Sequence, residues 1–128
     1  MSNFKRQIGK WYKDGEINAQ DAEEMYEKYT GLSKSEAAAE VALAEFIKKN
    51  PEYSEMTVSA LDNYNRYCTN VPVDVYYDAW KYKNTLSGSV KTKMMNYIDR
   101  LSLTRRQKDS MYYAFGWAES TIDEAPWH

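Results

Sequence analysis

Apolar residues recur at spacings of three and four along nearly the whole chain, which is the pattern of amphipathic α-helices. The clearest case is a run whose apolar residues would share one helix face: Val90, Met94, Tyr97, Ile98 and Leu101. No stretch alternates apolar and polar residues with the period of a strand. The pattern therefore predicts an all-α fold, a compact bundle of about seven short helices with a C-terminal tail anchored by an aromatic residue.

Residues that cap helix N-termini mark several of the predicted helix starts. Asn18 can cap one helix, and Ser33 with Glu36 and Thr104 with Gln107 have the spacing of a capping box, in which the two side chains bond each other's backbone amides. The predicted helices cover residues 3–13, 18–30 and 33–49, and four more start near residues 57, 73, 90 and 104.

The last residues predict a tail that folds back on the final helix. That helix should bury Met111, Tyr112, Phe115 and Ala118. Beyond Gly116 and Trp117 the chain turns polar until Trp127, which is too large an apolar group to leave in water and is therefore the expected anchor. We expect His128, the last residue of the sequence, to be mobile.

Length and composition predict one soluble domain. A chain of 128 residues can bury a sizeable core, so we expect a single domain over 1–128, with 1–56 and 57–128 as an alternative pair of sub-bundles. The sequence has one cysteine, no apolar run of 18 residues and no leading segment of signal-peptide type. These features favour a cytoplasmic protein of a bacterial host cell, without a membrane partner.

Charge is unevenly distributed along the chain although the net charge is only −2. Residues 14–56 hold eleven acidic and four basic side chains, whereas residues 57–118 hold five acidic and nine basic ones. The acidic cluster of Asp21, Glu23, Glu24 and Glu27 lies in one predicted helix. Two readings stay open: these carboxylates mimic nucleic acid toward a basic partner, or they form an ordinary solvated helix face.

Residues for catalysis are scarce, which predicts a protein that is not an enzyme. The sole histidine, His128, is terminal, and Cys68 lies on an apolar stripe where a buried, inert thiol is expected. Acidic pairs at helical spacing, such as Glu23 with Glu27, fit a solvated surface better than a metal site. We expect no cofactor and no bound metal.

Two other surfaces could recognise a partner. The final helix opens with Arg105, Arg106 and Lys108 after a short joint, as a helix-turn-helix recognition helix would, which makes DNA an alternative partner. Twelve tyrosines and four tryptophans exceed the needs of one small core, so some aromatics should be exposed at a protein interface. The expected exposed residues are Tyr77, Tyr82 and Tyr113, and such a face could also close a homodimer.

One family resemblance is carried by the C-terminal stretch. Residues 87–127 fit the motif SGSxKxK…YI(D/N)xLxLTxxQKDxxY, followed by G(W/Y)xxST(I/L)xxAPW. In this the chain resembles a module near the C-termini of very large polyvalent proteins of tailed phages and prophages of gut Firmicutes. The resemblance implies a phage or mobile-element origin and carries no catalytic residues; we expect this chain to be a free-standing version of the module.

Together these observations predict a non-enzymatic phage protein that acts by stoichiometric binding to a host or phage protein. Its acidic residues make an inhibitor of a host defence nuclease, such as a CRISPR effector, the leading hypothesis. A virion-assembly or DNA-ejection component is the first alternative, and a helix-turn-helix-like DNA-binding protein is the second.

Overall fold

A computed structural model describes residues 2–128, without the side chain of Ser2, and every regular element in that range is helical. The predicted all-α class is therefore confirmed. Seven α-helices follow in order, α1 (Ser2–Lys13), α2 (Ala19–Thr30), α3 (Lys34–Lys49), α4 (Val58–Tyr67), α5 (Val73–Lys83), α6 (Val90–Asp99) and α7 (Arg105–Ala114). Two short 3-10 helices, Pro51–Tyr53 and Glu119–Glu124, accompany them.

The chain divides into two compact units, residues 1–58 and 59–128. The division falls close to the alternative boundary after residue 56, and whether the two units behave as one domain stays a prediction.

The first unit is a three-helix arrangement in which α1, α2 and α3 pack against one another. Its buried centre combines two alanines and two β-branched residues with one aromatic side chain; the members are Ile8, Ala22, Tyr26, Ala37 and Val41. Gly31 ends α2 in the left-handed conformation, with a φ of 74°, and its N–H bonds the carbonyl of Tyr26. The alanines of α2 and α3 occupy little space, which allows these two helices to pack closely.

In the second unit α5 packs on α6, α6 on α7, and α7 on the 3-10 helix that follows it. Tyr76 ties α5 to α4, since its buried hydroxyl donates to the carbonyl of Ala60 at 2.9 Å. Its ring also contacts Tyr64 of α4 at a centroid distance of 5.1 Å and stacks on Phe115 at 5.5 Å. Burial raises the pKa of the Tyr76 hydroxyl, so it stays a donor at any physiological pH.

The predicted helix caps are confirmed. The Asn18 side chain accepts from the amide of Asp21 at 2.8 Å. Both hydrogen bonds of the capping box form at Ser33 with Glu36 and at Thr104 with Gln107. These caps fix where α2, α3 and α7 begin.

The expected aromatic anchor of the tail is also present. The Trp127 indole N–H donates to Asp109 Oδ1 at 2.8 Å, and its ring meets Tyr112 edge-on at 6.5 Å. Two sequence-based predictions about the tail were wrong. Ala118 is exposed because α7 ends at Ala114 and Gly116, with a φ of 90°, redirects the chain.

The second error concerns His128, whose ring is held rather than mobile. Its Nε2 lies 2.6 Å from Asp109 Oδ1, and its Nδ1 lies 2.7 Å from Arg105 Nη2. The neighbouring Trp127 places the ring there, because both residues reach the same carboxylate on α7.

The capping box of α7 gives a test of this fold. Replacing Thr104 with alanine removes the acceptor for the amide of Gln107 and should lower the free energy of unfolding by about 1 kcal/mol, as measured by urea denaturation. Ser102→Ala in the same joint is the matched control, because Ser102 is exposed and its side chain bonds nothing within residues 2–128; it should change stability little. Equal losses in the two variants would contradict the capping account.

Candidate partner-binding surface

The carboxylates predicted as an acidic cluster form a surface on the outer side of α2. Ala22 and Tyr26 turn the opposite side of this helix into the core of the first unit. Asp21, Glu24 and Glu27 are consequently exposed, and Glu23 is half-buried. We call these four residues the acidic surface of α2; they are Asp21, Glu23, Glu24 and Glu27.

The acidic surface carries charge that the described part of the chain does not neutralise. None of its four carboxylates takes part in an ion pair or a side-chain hydrogen bond with residues 2–128. Glu23 and Glu27 stand one helical turn apart, where like charges repel and destabilise a helix slightly. The helix dipole offsets part of this cost at Asp21, which lies in the first turn.

Three other carboxylates of the first unit are paired with lysines, whereas Glu16 and Glu52 are exposed and have no ion pair with residues 2–128. Glu40 meets Lys5 at 3.2 Å, Asp14 meets Lys10 at 2.7 Å, and Glu45 meets Lys49 at 3.3 Å. Glu45 also accepts a hydrogen bond from the Tyr12 hydroxyl, and the bonds from Tyr12 and Lys49 lower the pKa of its carboxyl. The four unpaired carboxylates of α2 thus form the one group of this kind that shares a single helix among the described residues of the first unit.

The predicted exposed aromatics correspond poorly to the structure. Tyr77 is buried, which corrects that prediction, because α5 turns both Tyr76 and Tyr77 inward and the Tyr77 ring packs beside Trp80 at 5.8 Å. Tyr82 is half-buried and stacks on Tyr97 at 4.7 Å. Tyr113 is half-buried and meets Tyr112 edge-on at 5.7 Å.

The large aromatic side chains that are exposed were missed. They are Tyr29, which is 53% exposed, and Tyr67, which is 45% exposed. The apolar stripe of α4 could end at either Tyr67 or Cys68, and the structure buries Cys68 completely. Tyr67, the last residue of α4, therefore faces water, whereas Cys68 directly after it faces inward.

The predicted nucleic-acid contacts lie at the start of α7 but are not equally available. Lys108 donates to the carbonyl of Asp99 at 2.7 Å and keeps only 13% of its side chain exposed. Arg105 contacts the His128 ring, as described above. Arg106 is exposed and its side chain has no partner within the described residues. Two of the three cations thus already serve contacts inside the second unit.

Groups that could perform chemistry are few in the part of the chain that the structure describes. Cys68 is fully buried, and burial raises the pKa of its thiol from 9.0 to about 12. Between residues 2 and 128, no three His, Cys, Asp or Glu side chains come together as a metal site. Both ring nitrogens of His128 are engaged, one by Asp109 and one by Arg105.

Comparisons with protein-family models, with curated proteins and with solved structures found no match for this chain. Of the helices that the structure describes, none has the length and apolar character needed to cross a membrane. The surfaces described above are therefore the basis for a functional proposal.

The burial of Cys68 gives a test of the inert-thiol interpretation. At about pH 8 the folded protein should keep Cys68 as a protonated, covered thiol, because the raised pKa of about 12 lies far above that pH. We expect an aromatic disulfide reagent to label the native protein on the order of 100-fold more slowly than the urea-unfolded chain. If the folded protein were labelled as fast as the urea-unfolded chain, the burial would be contradicted and Cys68 would be accessible to react.

Proposed function

We propose that this protein works by stoichiometric binding to another protein, without catalysis, and that the acidic surface of α2 meets a basic surface of its partner. The observation that supports this is the set of four carboxylates on one helix that have no internal counter-charge. A basic partner would supply the charges that the first unit does not.

The spacing of these charges suits a partner that normally holds a nucleic acid. Carboxylates three or four residues apart on a helix have Cβ atoms roughly 5–6 Å from each other, so the surface presents a closely spaced row of anions. Positively charged grooves that follow a phosphate backbone would attract such a row and would bind it at an increased rate at low salt. The partner class we propose is therefore a nucleic-acid-binding protein.

The resemblance of the C-terminal stretch to phage proteins narrows this class further. A phage protein that occupies a nucleic-acid channel gains most from blocking a host defence nuclease, of which a CRISPR effector is one kind. The protein would act as a competitor for the nucleic acid, one copy for each channel.

The acidic surface can be tested by charge reversal in a pull-down. Tagged protein is incubated with a nuclease-treated lysate of the bacterial host, washed at moderate salt and read by mass spectrometry. Glu23→Lys with Glu27→Lys should reduce recovery of the partner by about 10-fold or more, because two attractive contacts become repulsive. Circular dichroism should show unchanged helix content, since Glu27 is exposed and the half-buried Glu23 is not part of the buried core of the first unit.

The matched control is Glu52→Lys with Asp78→Lys, which changes the net charge by the same amount at exposed residues that do not belong to α2. It should leave recovery unchanged. The proposal fails if both double variants recover the partner like the wild type, or if recovery falls equally in both. Recovery of phage structural proteins alone would favour a virion component instead.

A further inference from the structure

A second surface feature, in the unit of residues 59–128, is an open pocket of about 470 Å³. Three aromatic side chains and one carboxylate line it around a glycine: Tyr67, Tyr113, Gly116, Trp117 and Glu119. Tyr67 ends α4, Tyr113 lies in the last turn of α7, and the other three follow α7 directly. None of these five residues belongs to the acidic surface of α2.

The backbone around the pocket is held in place by the conformation of Gly116 and by hydrogen bonds of Tyr112. Gly116 takes a φ of 90°, which lets the chain turn immediately after α7, and it contributes no side chain to fill the space. The buried Tyr112 hydroxyl then donates to the carbonyl of Ala118 at 3.0 Å and hydrogen-bonds the Thr121 hydroxyl. These bonds hold the turn that carries Gly116, Trp117 and Glu119 without a ligand, which reduces the entropy lost when one binds.

The polar groups of this pocket are not used inside the protein. Within residues 2–128, neither the Tyr67 hydroxyl, the Tyr113 hydroxyl, the Trp117 indole N–H nor the Glu119 carboxylate makes a hydrogen bond or an ion pair. Tyr67 and Glu119 are exposed, and Tyr113 and Trp117 are half-buried. These groups can thus meet a ligand without first breaking an internal contact.

The electrostatic character of the pocket favours a cation. Burial, and then the negative charges of Glu119 and Asp109, raise the pKa of the Tyr113 hydroxyl, as expected beside carboxylates. The neighbouring rings already hold one cation: Lys83 Nζ lies 5.6 Å from the centroid of Trp117 and 5.3 Å from that of Phe115, and it does not line the pocket. Glu119 is the one charged side chain that lines the pocket, so an anion would find no counter-charge among the lining residues, and an uncharged apolar group would make no use of the carboxylate.

We propose that this pocket binds the guanidinium group of an arginine side chain presented by a partner protein. The rings of Tyr67, Tyr113 and Trp117 line the pocket and can attract a cation through their quadrupoles, and the Glu119 carboxylate can accept two parallel N–H bonds from a guanidinium. A guanidinium fits better than an ammonium because it is planar, stacks on aromatic rings and is less strongly hydrated.

The test uses acetyl-arginine-amide as the probe and nuclear magnetic resonance as the readout. The indole N–H signal of Trp117, assigned with a Trp117→Phe variant, should shift as the probe is added, with a dissociation constant on the order of millimolar for a single side chain. Acetyl-citrulline-amide has nearly the same shape without the charge and should cause little shift. Equal shifts with both compounds, or no shift with acetyl-arginine-amide, would overturn the proposal.

Two variants test whether acetyl-arginine-amide binds in the pocket. Tyr67→Leu removes an exposed ring and Glu119→Gln removes the charge. Each should raise the dissociation constant of acetyl-arginine-amide by about three-fold or more. Tyr29→Leu is the matched control, because Tyr29 is similarly exposed but lies in the first unit; it should leave binding unchanged. Unchanged affinity in Glu119→Gln would overturn the assignment, whatever the charge-reversal experiment on α2 shows.

Acetyl-lysine-amide separates guanidinium from ammonium recognition. The proposal expects it to bind several-fold more weakly than acetyl-arginine-amide, because the ammonium is compact and strongly hydrated. Tighter binding of the lysine compound would overturn the arginine assignment.

Discussion

The packing of Tyr112 is the interaction on which the C-terminal part of the structure depends. Its side chain is fully buried, its hydroxyl bonds the carbonyl of Ala118 and the hydroxyl of Thr121, and its ring contacts Trp117 and Trp127. A buried hydroxyl that lacked these partners would cost free energy, so the turn after α7 and the tail have to stay where Tyr112 needs them. The same residue therefore contacts both Trp127 of the tail and two residues that line the open pocket, Tyr113 and Trp117.

The two candidate binding surfaces follow from local rules in their own units. On α2, Ala22 and Tyr26 face the core, so the opposite, acidic side of the helix faces water. In residues 59–128, the early end of α7 and the conformation of Gly116 open a pocket beside Tyr113. Each surface contains charged or polar groups that the protein itself does not use, and such groups are the ones available to a partner.

The helices were readable from the sequence because their signals are local. Asn18, Ser33 and Thr104 cap the helices they were expected to cap, since a side chain that bonds an amide three residues away needs no tertiary context. Exposure of aromatics was harder to predict, because it depends on which helix sides meet neighbours. Tyr77 faces inward and Tyr67 outward for this reason, and only the packed structure reveals the pocket that Tyr67 helps to form.

The central claim is that the protein binds a partner stoichiometrically and does not transform it. The most direct measurement titrates a fixed amount of the captured partner with the protein and follows free and bound species by native mass spectrometry. The account predicts that free partner falls linearly to zero at a small whole-number ratio, with both masses unchanged over hours. A partner whose mass is altered by a small fraction of an equimolar amount would contradict it and would show that the protein is an enzyme.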